Sequence, residues 1–437
     1  MIWLLLSFCL QLCHCLGQDS VPSGRDKTVA CFWETLDAFP RFTSENIDPS
    51  LCSRVIYSYN VDNVTSDHIN TTDWTLTHRN KNFDLELGGF KNVSQMKLAS
   101  PHLMVEYAIG SWQTHQAFYQ LASSPAKRRI FAESSAAFLK KHGFDGLLLN
   151  WGGPADGVSA DNSSSGRESL PSLLRELQEA FLPVNLTLSL SVWSPLSHVI
   201  DDHFNVPEIY KNADMVFLNA FFYHGSWEKS TGAFAPLWDR TSDVPDLRYL
   251  TVDFSWTYMK NRGALPCKTL LVIAFKGAEF LLKKAPGSSL LPGQGSETVQ
   301  GSGGQLGFHQ ICQMAGEEEW NIEWDEERRV PYMWRGQRWV SYEDTRSVEE
   351  KVTYANTEGL AGVALTHLGL DDVFGDCYNV GYPVPPYQST NISYPLLRTA
   401  FDKQEGSCGA GAGNIQEEGA PVWLLSLTVT MFMVWNK

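Results

Sequence analysis

The chain has 437 residues, enough for two or three average domains or for one large barrel with insertions. It carries 34 Lys and Arg against 49 Asp and Glu, a net charge of −15, and no long basic run, which excludes a nucleic-acid surface built on clustered cations. At 43% hydrophobic and 12% aromatic it can bury a large core, which excludes wholesale disorder.

The chain opens on an apolar stretch, MIWLLLSFCLQLCHCLG, that ends in small residues before Gln18 and Asp19. This pattern predicts a secretory signal over residues 1–17, cleaved after Gly17, although no Lys or Arg precedes the apolar run. Of the nine cysteines, Cys9, Cys13 and Cys15 would leave with it, and six remain. An even number in an oxidising compartment suits up to three disulfides, whose connectivity spacing alone does not give.

Eight short apolar runs follow, separated by helical stretches. They are TVACFW (28–33), RVIYSY (54–59), HLMVEYAI (102–109), FDGLLLNW (144–151), LTLSLSVW (186–193), MVFLNAFF (215–222), TLLVIAF (269–275) and LAGVALTHL (360–368). Near-continuous apolar runs suit parallel strands buried on both faces, and the alternation with helices, such as Pro125 to His142, predicts a (β/α)8 barrel. The chain between the seventh and eighth runs is far longer than one helix needs. It contains the Gly/Ser-rich stretch Pro286 to Gly307 and then PYMWRGQRWVSYE (331–343), so a small α+β insertion is expected over 277–345, within a barrel spanning 18–405. The acidic run EEEWNIEWDEERR (317–329) matches no calcium-loop spacing and reads as a solvated face. No phosphate loop or metal-type Cys/His spacing occurs, and no cofactor is expected.

At the C-terminus, residues 406–421 form a small and polar spacer before VWLLSLTVTMFMVW (422–435). A membrane-spanning helix needs about 20 apolar residues, and this tail is shorter. Small residues, spacer and short apolar tail match a glycosylphosphatidylinositol attachment signal, with the anchor near Gly409, Gly411 or Gly413 and removal of 422–437. The alternatives are secretion without an anchor and a short C-terminal membrane segment. Six Asn-x-Ser/Thr acceptors, Asn63, Asn70, Asn92, Asn162, Asn185 and Asn391, fit a glycosylated extracellular surface.

The fourth run, FDGLLLNWGGP, resembles the strand F-D-G-x-D-x-D-W-E-x-P of the family 18 glycoside hydrolases, the chitinases. HGSWE (224–228), AIGSW (108–112), GLDD (369–372) and the insertion before the eighth strand extend the resemblance along nearly the whole mature chain. It implies disulfides Cys31–Cys52 and Cys312–Cys377, and leaves Cys267 and Cys408 as a third candidate pair.

The chemistry the resemblance implies is hydrolysis of β-linked N-acetylglucosamine polymers. A glutamic acid protonates the leaving oxygen while the substrate's own acetamide attacks, oriented by an aspartate. Here the acid's position is Gly152, the orienting aspartate's is Asn150, and the aspartate two residues earlier is Leu148. Asp145 alone survives of the carboxylates in this strand and lies too far along it to substitute. A Tyr-Asp pair after strand six is matched by Phe221 and Phe222, and a floor tryptophan on strand eight by Thr366. Leu36 stands for a strand-one tryptophan, and AFKGAEF lacks the strand-seven tyrosine.

Trp112, Trp227 and Glu228 match retained positions, and the two tryptophans either line an outer glycan groove or pack loops against the barrel. His224, in the same loop, reads as a structural hydrogen-bonding group. The expectation is therefore a non-catalytic, extracellular, lipid-anchored chitinase-like protein whose partner is a glycan or a protein. The alternatives are a glycosidase with a relocated acid and a protein-binding scaffold that takes no glycan.

Overall fold

The computed structural model describes residues 28–406 apart from 36–41, 60–67, 111–114, 152–162, 194–200, 202–203, 226–227, 242–247, 287–290, 292–303, 318, 380–381 and 383–392. Eight of its strands close a parallel barrel in sequence order. They are β1 (Thr28–Thr35), β2 (Arg54–Tyr59), β3 (Met104–Ile109), β4 (Gly146–Asn150), β5 (Thr187–Trp193), β6 (Met215–Asn219), β7 (Thr269–Ala274) and β8 (Gly362–Thr366). Each falls inside or over one of the eight predicted runs. The last strand returns to the first with Thr28 opposite Gly362 and Cys31 opposite Leu365, so no barrel edge is left open.

Alternation along these strands divides the core in two. Val29, Val55, Val105, Leu147, Leu149, Leu188 and Leu190 face the helical layer, while Ala30, Ile56, Ala108, Leu148, Phe217, Leu270 and Ala364 fill the barrel. At the N-terminal end of the barrel, Glu106 is wholly buried and pairs with Arg54. It also accepts hydrogen bonds from Thr187 Oγ1 at 2.9 Å and Ser189 Oγ at 3.1 Å. A buried charge needs such partners, because water has been removed from every side of it.

The insertion is a five-stranded antiparallel sheet in the order 305–307, 276–281, 338–342, 330–335 and 321–325, flanked by a helix over Phe308–Ala315. Strands Val330–Arg335 and Arg338–Tyr342 form a tight hairpin through Gly336 and Gln337, and Gly336 takes φ +55°, which a two-residue turn requires. Phe280, Tyr332 and Trp339 continue the packing of the barrel interior into this sheet, so the insertion and the barrel share one apolar cluster.

The acidic run is taken up locally. Asp325 is buried against Arg240 and Arg328, Glu317 and Glu319 pair with Arg335, and Glu326 pairs with Arg346. Two disulfides are formed as the resemblance implies. Cys31–Cys52 joins β1 to the turn before β2, and Cys312–Cys377 joins the insertion helix to the chain after β8. Cys267 is exposed and unpaired among the described residues, and Cys408 lies outside them.

Candidate functional site at the barrel mouth

In a parallel barrel the C-terminal strand ends carry the site, because the loops that follow them converge there. Here the layer just below the mouth is apolar. Leu148 is 1% exposed and packs in the same cluster as Ala108, Phe217 and Val272. Phe32 meets Phe217 edge-on with ring centroids 5.8 Å apart.

The chain leaving β6 adds a second aromatic layer. Phe221 is buried, its ring 5.2 Å from that of Trp193 at the end of β5 and 6.2 Å from Phe234. Phe222 lies 5.8 Å from Phe234 and takes φ +59°, a left-handed conformation that side chains other than glycine adopt only when their surroundings hold them there. Aromatic pairs at these separations gain attraction beyond simple burial. The centre of the barrel is thus occupied by the protein's own side chains.

Polar residues lie between these two layers, with Asn150 and Ser191 level with Phe217 and Asn219 level with Trp193. Asn219 Nδ2 donates to Ser191 Oγ at 2.7 Å. Asn150 Oδ1 is buried without a hydrogen-bond partner among the described residues. Asp145, at the opposite end of β4, accepts from Lys97 Nζ at 2.9 Å and from the Val105 amide at 2.9 Å. It serves the N-terminal rim and cannot reach the mouth.

A charged cluster lies at the mouth where β7, β8 and β1 meet. Thr366 Oγ1 donates to Glu34 Oε1 at 3.0 Å and lies 3.1 Å from His367 Nδ1. The hydroxyl has one proton, given to the carboxylate, so Nδ1 must carry the imidazole hydrogen and donate to Oγ1. His367 Nε2 then accepts from Lys276 Nζ at 2.7 Å and lies 3.1 Å from Glu34 Oε2. Burial and the Lys276 ammonium hold the His367 pKa well below the ordinary imidazole range, which keeps the ring neutral. Glu34, Lys276 and His367 were not singled out by the sequence reading. The available signal was a charged residue or a histidine at the end of an otherwise apolar strand.

The loop after β6 is fastened by His224, whose Nδ1 lies 2.8 Å from Glu228 Oε2, so this carboxylate faces its own loop. Trp112, Trp227 and Gly152 lie outside the described residues, as do Asn63, Asn162 and Asn391. Asn92 and Asn185 are exposed, and Asn70 is half-buried beside a two-residue ladder.

Comparison with known proteins places this geometry. The profile of glycosyl hydrolases family 18 matches residues 28–371, from the first barrel strand to beyond the last. The chain belongs to this family. It is 30% identical over 437 residues to probable chitinase 2 of Drosophila melanogaster, covering 91% of this chain and 85% of that one. It is equally similar, at 30% over 384 residues, to probable chitinase 10 of the same fly, covering 84% of this chain but spanning only 16% of that longer protein.

Among solved structures of the family, the Group IV chitinase of Ostrinia furnacalis superposes with a TM-score of 0.75 at 26% identity, covering 87% of this chain and all of that one. Human YKL-39, described as a pseudo-chitinase with retained chitooligosaccharide binding properties, superposes with a TM-score of 0.72 at 25% identity. It covers 86% of this chain and 99% of its own. Family 18 thus includes chains that bind these sugars as pseudo-chitinases, alongside hydrolases on the same barrel.

Proposed function

We propose that this family 18 member is a non-catalytic, extracellular chitinase-like protein that acts by binding, with a chitooligosaccharide-type glycan as its ligand. The observation that carries the reading is the filled barrel centre. Leu148 and Phe217 fill the barrel below and level with Asn150, Phe221 packs on Trp193 nearer the mouth, and the positions matching the family's β4 carboxylates are Leu148, Asn150 and Gly152. A sugar cannot enter a chamber that side chains already fill, and without a carboxyl group at Gly152 the leaving oxygen has no proton source there. Binding is assigned instead to Trp112 and Trp227, which match positions that line the outer part of the cleft in the family.

The experiment is paired. The purified ectodomain is incubated with chitin oligomers to look for turnover, and the same oligomers are titrated into it to look for binding. Binding without turnover is expected, and turnover overturns the reading. A second reading, a scaffold that binds protein only, draws on the same filled centre. Failure to bind any glycan on an array would favour it.

The reading includes attachment of the chain to the cell surface by a lipid at Gly409, Gly411 or Gly413. Both terminal sequence signals support it. Release from intact cells by a phosphatidylinositol-specific phospholipase is expected, and retention would point to a membrane-spanning tail.

A further inference from the structure

Each barrel helix runs back from the mouth to the N-terminal rim, where the next strand begins. The last helix, Pro395–Lys403, follows the same direction. The Lys403 carbonyl accepts from Asn356 Nδ2 at 2.8 Å, and the Glu405 amide donates to Asn356 Oδ1 at 3.1 Å. Asn356 lies in the last turn of the helix Thr345–Thr357, which leads into the start of β8. The described chain therefore ends at the N-terminal rim, on the side opposite the mouth.

From Gly406 to an anchor at Gly409 to Gly413 there are three to seven residues. At full extension these span about 10–25 Å. The rim is also where large apolar side chains stand out. Leu98, at the end of helix Gly89–Ala99, is 83% exposed, Leu182 is 73% exposed and Leu265 is 47% exposed. All three precede barrel strands, and the Pro266 carbonyl next to Leu265 accepts from the Ala361 amide at the foot of β8. Four of the rim's lysines are paired, while Lys140 and Lys141 stand exposed in the last turn of the helix Pro125–His142. Lys97 pairs with Asp145, Lys260 with Glu358, Lys211 with Glu208 and Lys403 with Glu349. A surface bearing exposed leucines with long cationic side chains between them suits contact with lipid headgroups.

We propose that the N-terminal rim of the barrel rests on the lipid surface through Leu98, Leu182 and Leu265, so that the mouth and the insertion face away from the membrane. This rests on the lipid-anchor reading above. It gives that reading a direction: the mouth is presented to whatever lies beyond the cell, about 20 Å above the rim by the length of the strands.

The test uses the full-length chain on cells, with a fluorescent amino acid at Leu98 on the rim or at Tyr378, which follows β8 on the mouth side. Energy transfer to a dye in the outer leaflet is expected to be several-fold stronger from position 98. Equal transfer, or stronger transfer from 378, overturns the proposal. Phospholipase treatment separates the two ideas. Retention of the protein sinks the lipid anchor, while the transfer ratio still reports which end faces the membrane. With the label at Leu265, combining Leu98→Asp and Leu182→Asp is expected to lower transfer, and no change overturns the leucine contact. Asn185 is exposed on the same rim, so glycopeptide mapping is expected to find it bare, and a glycan there overturns the contact.

Discussion

Thr366, the last residue of β8, donates a hydroxyl hydrogen bond to Glu34 on β1 at 3.0 Å, and so fastens the last strand of the barrel to the first at the mouth. Its oxygen also receives the His367 Nδ1 hydrogen. Thr366→Val keeps the shape and removes both bonds, leaving a carboxylate oxygen and an imidazole hydrogen short of a partner. A loss of about 1–3 kcal/mol in urea unfolding is expected. An unchanged midpoint would mean that water replaces the hydroxyl and that this part of the mouth is wet.

Hydrolysis should not return with a single carboxylate. Gly152→Glu supplies a group at the acid's position, but Leu148 and Asn150 still supply no carboxylate to orient the acetamide and stabilise its charge, and Phe221 still packs in the same cluster as Leu148. Turnover of a fluorogenic chitobioside by this variant is expected to stay at the background of the wild type. Clear turnover would show that the chamber admits substrate and that only the acid was missing.

Phe221→Ala addresses the filling directly. Truncating a buried phenylalanine costs about 3–5 kcal/mol and leaves a cavity. Here the cavity opens toward Trp193, whose ring is 5.2 Å away. A lower thermal midpoint together with new or tighter binding of N-acetylglucosamine oligomers, measured by calorimetry, is expected. A stable variant that binds as the wild type does would show that the ring packs loosely and does not close the centre.

The barrel was legible because its strands are buried on both faces, and burial writes itself into sequence as continuous apolar runs. RVIYSY and the helix Pro125–His142 were read to the residue for that reason. The site was legible only as losses, at Leu148, Asn150 and Phe222, where a family pattern made an apolar or amide residue conspicuous. What stands in place of the lost groups was not legible. The contacts among Glu34, Lys276 and His367 join residues from three separate segments, and the partners are set by barrel closure rather than by spacing. The Phe221–Trp193 contact is of the same kind. The left-handed backbone at Phe222 also has no signal in residue type, since phenylalanine normally avoids it.

Acid should destabilise the protein through His68. Its ring is buried against Tyr59 and Tyr107, and burial, with Arg79 nearby, lowers its pKa to about 3. Because the folded value lies below the ordinary one near 6.5, the unfolded chain binds the proton more readily. The stabilising contribution is complete above about pH 6.5 and is lost as the pH falls toward 3. His68→Phe preserves the ring packing and removes the proton site. Thermal midpoints measured from pH 7 to pH 4 are expected to fall less steeply for the variant. Parallel curves would assign the acid sensitivity to other groups.

The Cys312–Cys377 bond closes a loop over a sequence separation of 65 and is the covalent tie between the insertion helix and the segment after β8. In the chain-entropy account a loop of that size stabilises by about 4 kcal/mol, mainly by restricting the unfolded chain. The insertion also packs on the barrel through Phe280, Tyr332 and Trp339, so it should remain folded when the bond is cut. Replacing both cysteines by serine is therefore expected to lower the thermal midpoint while leaving one cooperative transition. Two separate transitions, followed by tryptophan fluorescence and circular dichroism, would show that the insertion is a unit of its own held to the barrel mainly by this disulfide.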